Sequence, residues 1–176
     1  MSEYQNPMLI PHIRKVIVNI CTGRSGEPLD KASNILKELT EQQPCLRRAK
    51  RTLRAFGIRK DEPIASMVTL RGPKAEDFLR RAFSAVSGKI PEKSFDKLGN
   101  FAFGIKEHID IPGTRYNPQL GIFGMNIDIN IERPGYRVAR RRRRKSKIGL
   151  RQKLTKEEAI QYMKERFGIE VVSSLE

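Results

Sequence analysis

Residues 12–21, HIRKVIVNIC, alternate in character: Val16, Val18 and Ile20 fall on one side of an extended chain, and Lys15, Ile17, Asn19 and Cys21 on the other. A period of two predicts a strand with one apolar and one mixed face. The period then lengthens. After the turn GRSGE, Pro28 suits a first helical turn, and Leu29, Ala32, Ile35, Leu36 and Leu39 line one helical face before Pro44. IASMVTLR returns to alternation, with Val68 and Leu70 opposite Met67, Thr69 and Arg71, and Gly72-Pro73 ends it. Ala75, Phe78, Leu79, Ala82, Ala85 and Val86 form a second helical stripe. FAFGIKEHIDI (101–111) and MNIDINIERPG (125–135) read as strands; in the latter Ile127, Ile129 and Ile131 alternate with Asn126, Asp128, Asn130 and Glu132. LTKEEAIQYMKERFG predicts a third helix, with a Thr155/Glu158 capping box, a stripe of Ile160, Met163 and Phe167, and Gly168 as its stop.

Three amphipathic helices and at least four two-sided strands predict an α+β fold, a two-layer sandwich whose largely antiparallel sheet carries its helices on one face. The 176 residues suit a single domain, 1–176. Asn19, Thr69 and Arg71 then point to the uncovered sheet face. Hydrogen-bonding groups with Arg and Lys nearby make either an ordinary solvated surface or a platform for RNA. The pattern alone leaves both open.

Charge changes the picture. The formal net charge is +15, and residues 137–153 hold ten Lys/Arg and residues 47–60 seven, with no acid in either; the remainder carries −2. Basicity this local calls for a local partner, most simply a polyanion. In the first segment Arg47, Arg48, Lys50, Arg51, Arg54, Arg59 and Lys60 interleave with Leu53, Phe56 and Ile58, and Gly57 supplies a bend. This predicts a structured loop or hairpin offering charge with an apolar or stacking contact. The second carries Arg137, Arg140, Arg141, Arg142, Arg143, Arg144, Lys145 and Lys147 with few apolar anchors, so it is expected to be extended or disordered without a partner. Taken by itself, that run fits an address tag, a membrane-surface anchor, a solvated loop or a nucleic-acid contact.

Candidate chemistry narrows the choice. His12 and His108 have neither ligand nor triad spacing, and Glu107, Asp110 and Asp128 read as solvent-facing acids. TGRSGE, between a strand and a helix, resembles an anion nest at a helix N-terminus but matches neither phosphate-binding fingerprint, and reads better as a turn that needs glycine. Cys21 and Cys45, 24 residues apart, form neither a disulfide framework nor a zinc motif, which implies a reducing compartment. No enzyme, metal, cofactor or small-molecule substrate is expected. MSEYQNPM is no secretory signal, no apolar stretch reaches membrane-spanning length, and the basic run lacks an apolar face, so no membrane partner is expected either.

The stretches KVIVNICTGRSGEPLDKASNILKELTEQQP, RRAKRTLRAFGIRKDEPIASMVTLRG, NFAFGIKEHIDI, GIFGMNIDINIERPGYRVARRRRR and LTKEEA, with NPM before them, carry a resemblance over nearly the whole chain. Together the chain resembles the universal large-subunit ribosomal protein family that binds 5S rRNA, numbered five in bacteria and eleven in eukaryotes. The basic insert and the lack of an additional N-terminal helix match its archaeal and eukaryotic branch. The resemblance implies a non-enzymatic protein of the cytoplasmic ribosome that anchors 5S rRNA in the central protuberance. It further implies contacts to large-subunit rRNA, neighbouring large-subunit proteins, P-site tRNA and a small-subunit head protein across an intersubunit bridge. The family's 5S rRNA contacts fall at Asn19 and Thr69, with Arg71 beside them, and at Gln42. The loop from Arg47 to Lys60 corresponds to the one facing P-site tRNA, DIPGTRYNPQLGIFG to the bridge, and the run from Arg137 to Lys147 to an rRNA-penetrating extension. One departure stands out: Glu41 occupies the glycine position before Gln42, where φ > 0 and added negative charge are both unfavourable. A free regulatory or chromatin-type nucleic-acid binder is the alternative that the same charge would serve.

Overall fold

The computed structural model describes residues 6–173; residues 1–5, most of the stretch read as lacking a secretory signal, lie outside the described residues, as do 174–176. In chain order the elements are β1 (His12–Cys21), α1 (Glu27–Thr40), β2 (Cys45–Arg48), β3 (Pro63–Leu70), α2 (Pro73–Ala85), β4 (Lys89–Pro91), β5 (Phe101–Ile105), β6 (Met125–Glu132), α3 (Arg137–Arg140), α4 (Lys156–Phe167) and β7 (Glu170–Val172). β1 is the middle strand of a five-stranded sheet of order β2-β3-β1-β6-β5, every pair antiparallel. β4 and β7 form a separate parallel pair.

Register fixes which side chains meet. Val16 faces Leu70 and Ile129, and Val18 faces Val68 and Ile127, all buried. Phe101 and Phe103 of β5 continue the same face opposite Ile129 and Ile127. The alternation has one interruption: a bulge between Ile13 and Lys15, which lets Ile13 and Val16 both turn inward although they are three residues apart. Arg14, the extra residue, is thrown outward.

The apolar stripes of α1, α2 and α4 join this face in one continuous core, and Leu29, Ala32, Ile35, Leu36, Leu39, Ala75, Phe78, Leu79 and Ala82 are buried as their spacing predicts. α4 opens on the expected box: Thr155 Oγ1 accepts the Glu158 N–H at 3.4 Å and Glu158 accepts the Thr155 N–H at 3.0 Å. It crosses so close to the 96–100 turn that a Cβ on Gly99 would lie 2.6 Å from that of Ala159. Glycine is required there by space as well as by its φ of +78°.

Several expectations are corrected. Residues 101–111 are not one strand: pairing stops at Ile105, and His108–Asp110 is a 3₁₀ turn held by a bond from the His108 N–H to the Phe123 carbonyl at 3.0 Å. His108 is itself buried, and its Nδ1 accepts the Phe123 N–H at 3.4 Å, so burial pushes its pKa below the ordinary histidine value. Ile160, Phe167, Ala85 and Val86 are only half-buried, packed on the core's rim, while Phe83 is buried. Phe83 lies 5.4 Å from both Phe103 and Phe167 and so ties α2 to β5 and α4. A helical stripe read at fixed spacing misses a residue that reaches sideways to another element.

Leu79 is fully buried and Ile160 is not, so Leu79→Ala should cost about 2–5 kcal/mol of stability and Ile160→Ala clearly less. Urea unfolding of the two variants checks this. Equal losses would mean that the core does not lie where the helices meet the sheet.

Candidate nucleic-acid interface

Among the described residues no helix covers the other sheet face. On it, Ile17 lies between Thr69 and Asp128, and Asn19 between Met67 and Asn126. Cys45 and Gly104 extend the second row, so Gly104, Asn126, Asn19, Met67 and Cys45 cross all five strands, a platform about 19 Å wide at the usual strand spacing. Asn19 and Thr69 are half-buried, and Asn126, Asp128 and Cys45 exposed. Among the described residues no side-chain hydrogen bond engages Asn19, Thr69 or Arg71. Arg71 is exposed one residue past β3, at the end of the sheet where β1 begins. Gln42 stands apart, half-buried in the link between α1 and β2. Glu41 before it does adopt the left-handed conformation, φ 53°, as the residue ending α1, and its carboxylate lies 4.0 Å from Lys74.

The segment 47–60 is a built loop. β2 supplies Arg47 and Arg48, a bridge joins Leu53 to Ile58, and Gly57 closes the turn at φ 68°. Its base is held by one carboxylate: Glu62 accepts from the Arg59 N–H at 2.9 Å and from Ser25 Oγ at 2.6 Å, bonds that hold its pKa below the usual range. Thr52 Oγ1 accepts the Lys60 N–H. Every cation of the loop is exposed, and Phe56 at its tip is 75% exposed, so the aromatic ring is displayed rather than packed. Ser25 belongs to TGRSGE, so that turn helps to hold the base of the loop.

The second basic segment is more ordered than its composition predicts. Arg137–Arg140 form one helical turn, and Arg140 pairs with the nearly buried Glu132 at 2.7 Å. Arg133, 5% exposed, pairs with Glu158 at 2.7 Å and donates to the carbonyls of Arg151 and Lys153. The Tyr136 hydroxyl donates to the Gln152 carbonyl at 3.0 Å and accepts the Leu154 N–H at 2.9 Å. These bonds pull residues 133–136 and 151–154 together into a foot. From it Arg141, Arg142, Arg143, Arg144, Lys145 and Lys147 project, all exposed. Order at the two ends has a physical cause: Glu132, buried, and Glu158, half-buried, anchor arginines at the foot, while residues 141–149 run without helix or strand, as expected of an extended segment.

The basic elements do not converge. β1 runs from Glu132 at its start to Ala65 at its end, so the extension and the loop flank the sheet at opposite ends, about 30 Å apart for a ten-residue strand. Between them lies the open face. Asn126, and Lys15 opposite Asn130, share that face; the alternation with buried isoleucines could have singled them out. Arg14 and Arg133 could not be found from spacing, because a bulge places one and a foot of non-local bonds the other.

Two family models match the chain: that of "Ribosomal protein L5" over residues 6–59, and that of the same ribosomal family's C-terminus over residues 63–162. The chain is similar to large ribosomal subunit protein uL5 of Pyrobaculum aerophilum, 51% identical over 94% of this chain and 93% of that protein. The corresponding protein of Sulfurisphaera tokodaii is 51% identical, over 98% of this chain and 99% of its own length, and that of Aeropyrum pernix 52%, over 96% and 88%.

The foot of the extension generates a direct test. Tyr136→Phe keeps the ring but strands the Leu154 N–H, and should cost roughly 1–3 kcal/mol. Urea denaturation measures it. An unchanged midpoint would mean that the foot contributes nothing to the fold.

Proposed function

This chain belongs to the ribosomal protein L5 family, and on that premise we propose that, as a non-enzymatic component of the large ribosomal subunit, it holds 5S rRNA against its open sheet face. The observation that carries the reading is the row of five strands crossed by Asn126, Asn19, Met67 and Cys45, with Thr69 beside it, bare on one side and flanked by cations at both ends. Asn19 and Thr69 offer short polar groups with no side-chain partner among the described residues, suited to sugar and base edges. Gln42 and Arg71 add contacts at the rim.

The two basic segments take separate partners in this reading. The loop 47–60, stiffened by Glu62 and tipped by Phe56, presents a stacking ring among phosphate-binding cations, a combination suited to the P-site tRNA. The extension beyond Arg140 threads between phosphates of large-subunit rRNA in the central protuberance. The loop 110–124, anchored by His108 and displaying Tyr116 and Ile122, meets a small-subunit head protein across the subunit interface. Neighbouring large-subunit proteins complete the surroundings.

Salt titrations separate these roles. Changing Arg141 through Arg144 to Gln should lower the log–log salt slope for large-subunit rRNA by roughly 0.7–0.9 for each phosphate no longer neutralised, and leave 5S rRNA binding nearly unchanged. Thr69→Val should do the reverse, weakening 5S rRNA by about 1 kcal/mol without altering the slope. Wild-type behaviour of both variants toward both RNAs would remove the reading and return the charge to solvent.

A further inference from the structure

A groove of about 560 Å³ opens where β1 begins and β6 ends, at the foot of the basic extension. Arg14, Arg133, Arg137, Arg140 and Arg141 line it with His12, and among the described residues Glu132 is the sole acid in the lining. Glu132 is already neutralised by Arg140 at 2.7 Å. With Arg133 paired to Glu158 as well, the groove keeps three arginines, Arg14, Arg137 and Arg141, whose charge no acid among the described residues of its lining offsets.

Two buried nitrogens point further. Arg133 is 5% exposed, and although its terminal nitrogens are engaged by Glu158, Arg151 and Lys153, its Nε has no hydrogen-bond partner among the described residues. The Nδ1 of His12, across the same groove, is buried and unpartnered as well. An unsatisfied guanidinium N–H in a buried position costs free energy unless an acceptor arrives from outside. The bulge at Arg14 adds a cation to the wall that strict alternation would not have put there.

We propose that this groove is a preformed seat for one phosphodiester of an RNA backbone, distinct from the loosely held run beyond it. It rests on the reading of the extension as an rRNA contact and gives it a fixed starting point. The volume lies within the ~300–1,000 Å³ of sites that take drug-sized ligands, enough for a nucleotide-sized segment rather than a bare ion. The ligand is anionic and rich in acceptors, since the charged lining side chains without an ion pair among the described residues, Arg14, Arg137 and Arg141, are all cations. The groove's floor is held by Arg133 and Tyr136 through non-local bonds, and the exposed Arg14, Arg137 and Arg141 stand on that floor, so only their side chains need ordering when a phosphate binds. The seat also sets where the chain beyond Arg140 leaves the domain, and hence the direction in which the free arginines reach.

The test follows the Arg133 side-chain Nε–H signal by NMR in the full chain at low salt, titrated with inorganic phosphate and separately with the dinucleotide UpU. The expected result is a saturable shift with both probes, stronger binding by UpU, and affinity reduced roughly tenfold in the double variant Arg14→Gln, Arg137→Gln. Both residues are exposed and carry no ion pair among the described residues, so that variant should keep a dispersed spectrum. A control of equal charge, Lys93→Gln with Lys97→Gln, lies outside the groove and should keep wild-type affinity. A static Arg133 signal, or equal weakening in both double variants, overturns the seat and leaves only diffuse attraction. Saturation by phosphate but not by UpU overturns the assignment to an RNA backbone and leaves a free-phosphate site. Binding of wild type to large-subunit rRNA is measured alongside: its loss would defeat the functional reading while the phosphate result stood, and its persistence beside a static Arg133 would defeat the seat alone.

Discussion

The parity of β1 governs everything else. Ten residues in the middle of the sheet must put Val16, Val18 and Ile20 into the core, and the same geometry puts Ile17 and Asn19 on the opposite face. A slip of one residue against β3 or β6 would bury Asn19 under the helices and expose three fully buried aliphatic side chains, a loss of several kcal/mol at roughly 1.5–3 kcal/mol for each. The hydrophobic core thus fixes the position of the polar face, where Asn130 is held by Asn100 at 2.7 Å but Asn19 and Thr69 make no side-chain hydrogen bond among the described residues. Those two are left free to answer to a partner.

Acids do a second kind of work. The protein is strongly basic, yet each basic segment is tied to the fold by carboxylates: Glu62 beneath the loop 47–60, and Glu132 and Glu158 beneath the extension. Anchoring at the base leaves the cations beyond it exposed and without an ion pair among the described residues, the state in which phosphate can replace counterions. The two anchors sit at opposite ends of β1. A polyanion lying along the face would therefore meet positive charge wherever it leaves the sheet.

Much of this was legible in the sequence. Alternation located β1, β3 and β6 and assigned Asn19 and Thr69 to their face, and helical spacing recovered the inward side of α1 and most of α2. Short elements were not legible. All four residues of β2 are exposed, so it carries no burial pattern, and β4 and β7 find each other only after the chain has returned from α4. Composition argued for an extended or disordered course across 137–153 because it registers like charge and not position; 141–149 are irregular, and Glu132, Glu158 and Tyr136 supply the order at its ends from outside the run. The departure at Glu41 was legible too: the residue takes the left-handed conformation that glycine would take freely.

The central claim is that RNA lies on the bare side of the sheet, and the protein carries its own reporters there. Cys21 and Cys45 are free and exposed, and their register places both on that face, beside Ala65 and Met67. Alkylation of the two thiols, timed with and without saturating 5S rRNA, reads the face directly. If RNA covers the sheet, both thiols should be strongly protected. Unchanged alkylation rates at both positions under saturating RNA would place 5S rRNA elsewhere on the protein and contradict the account.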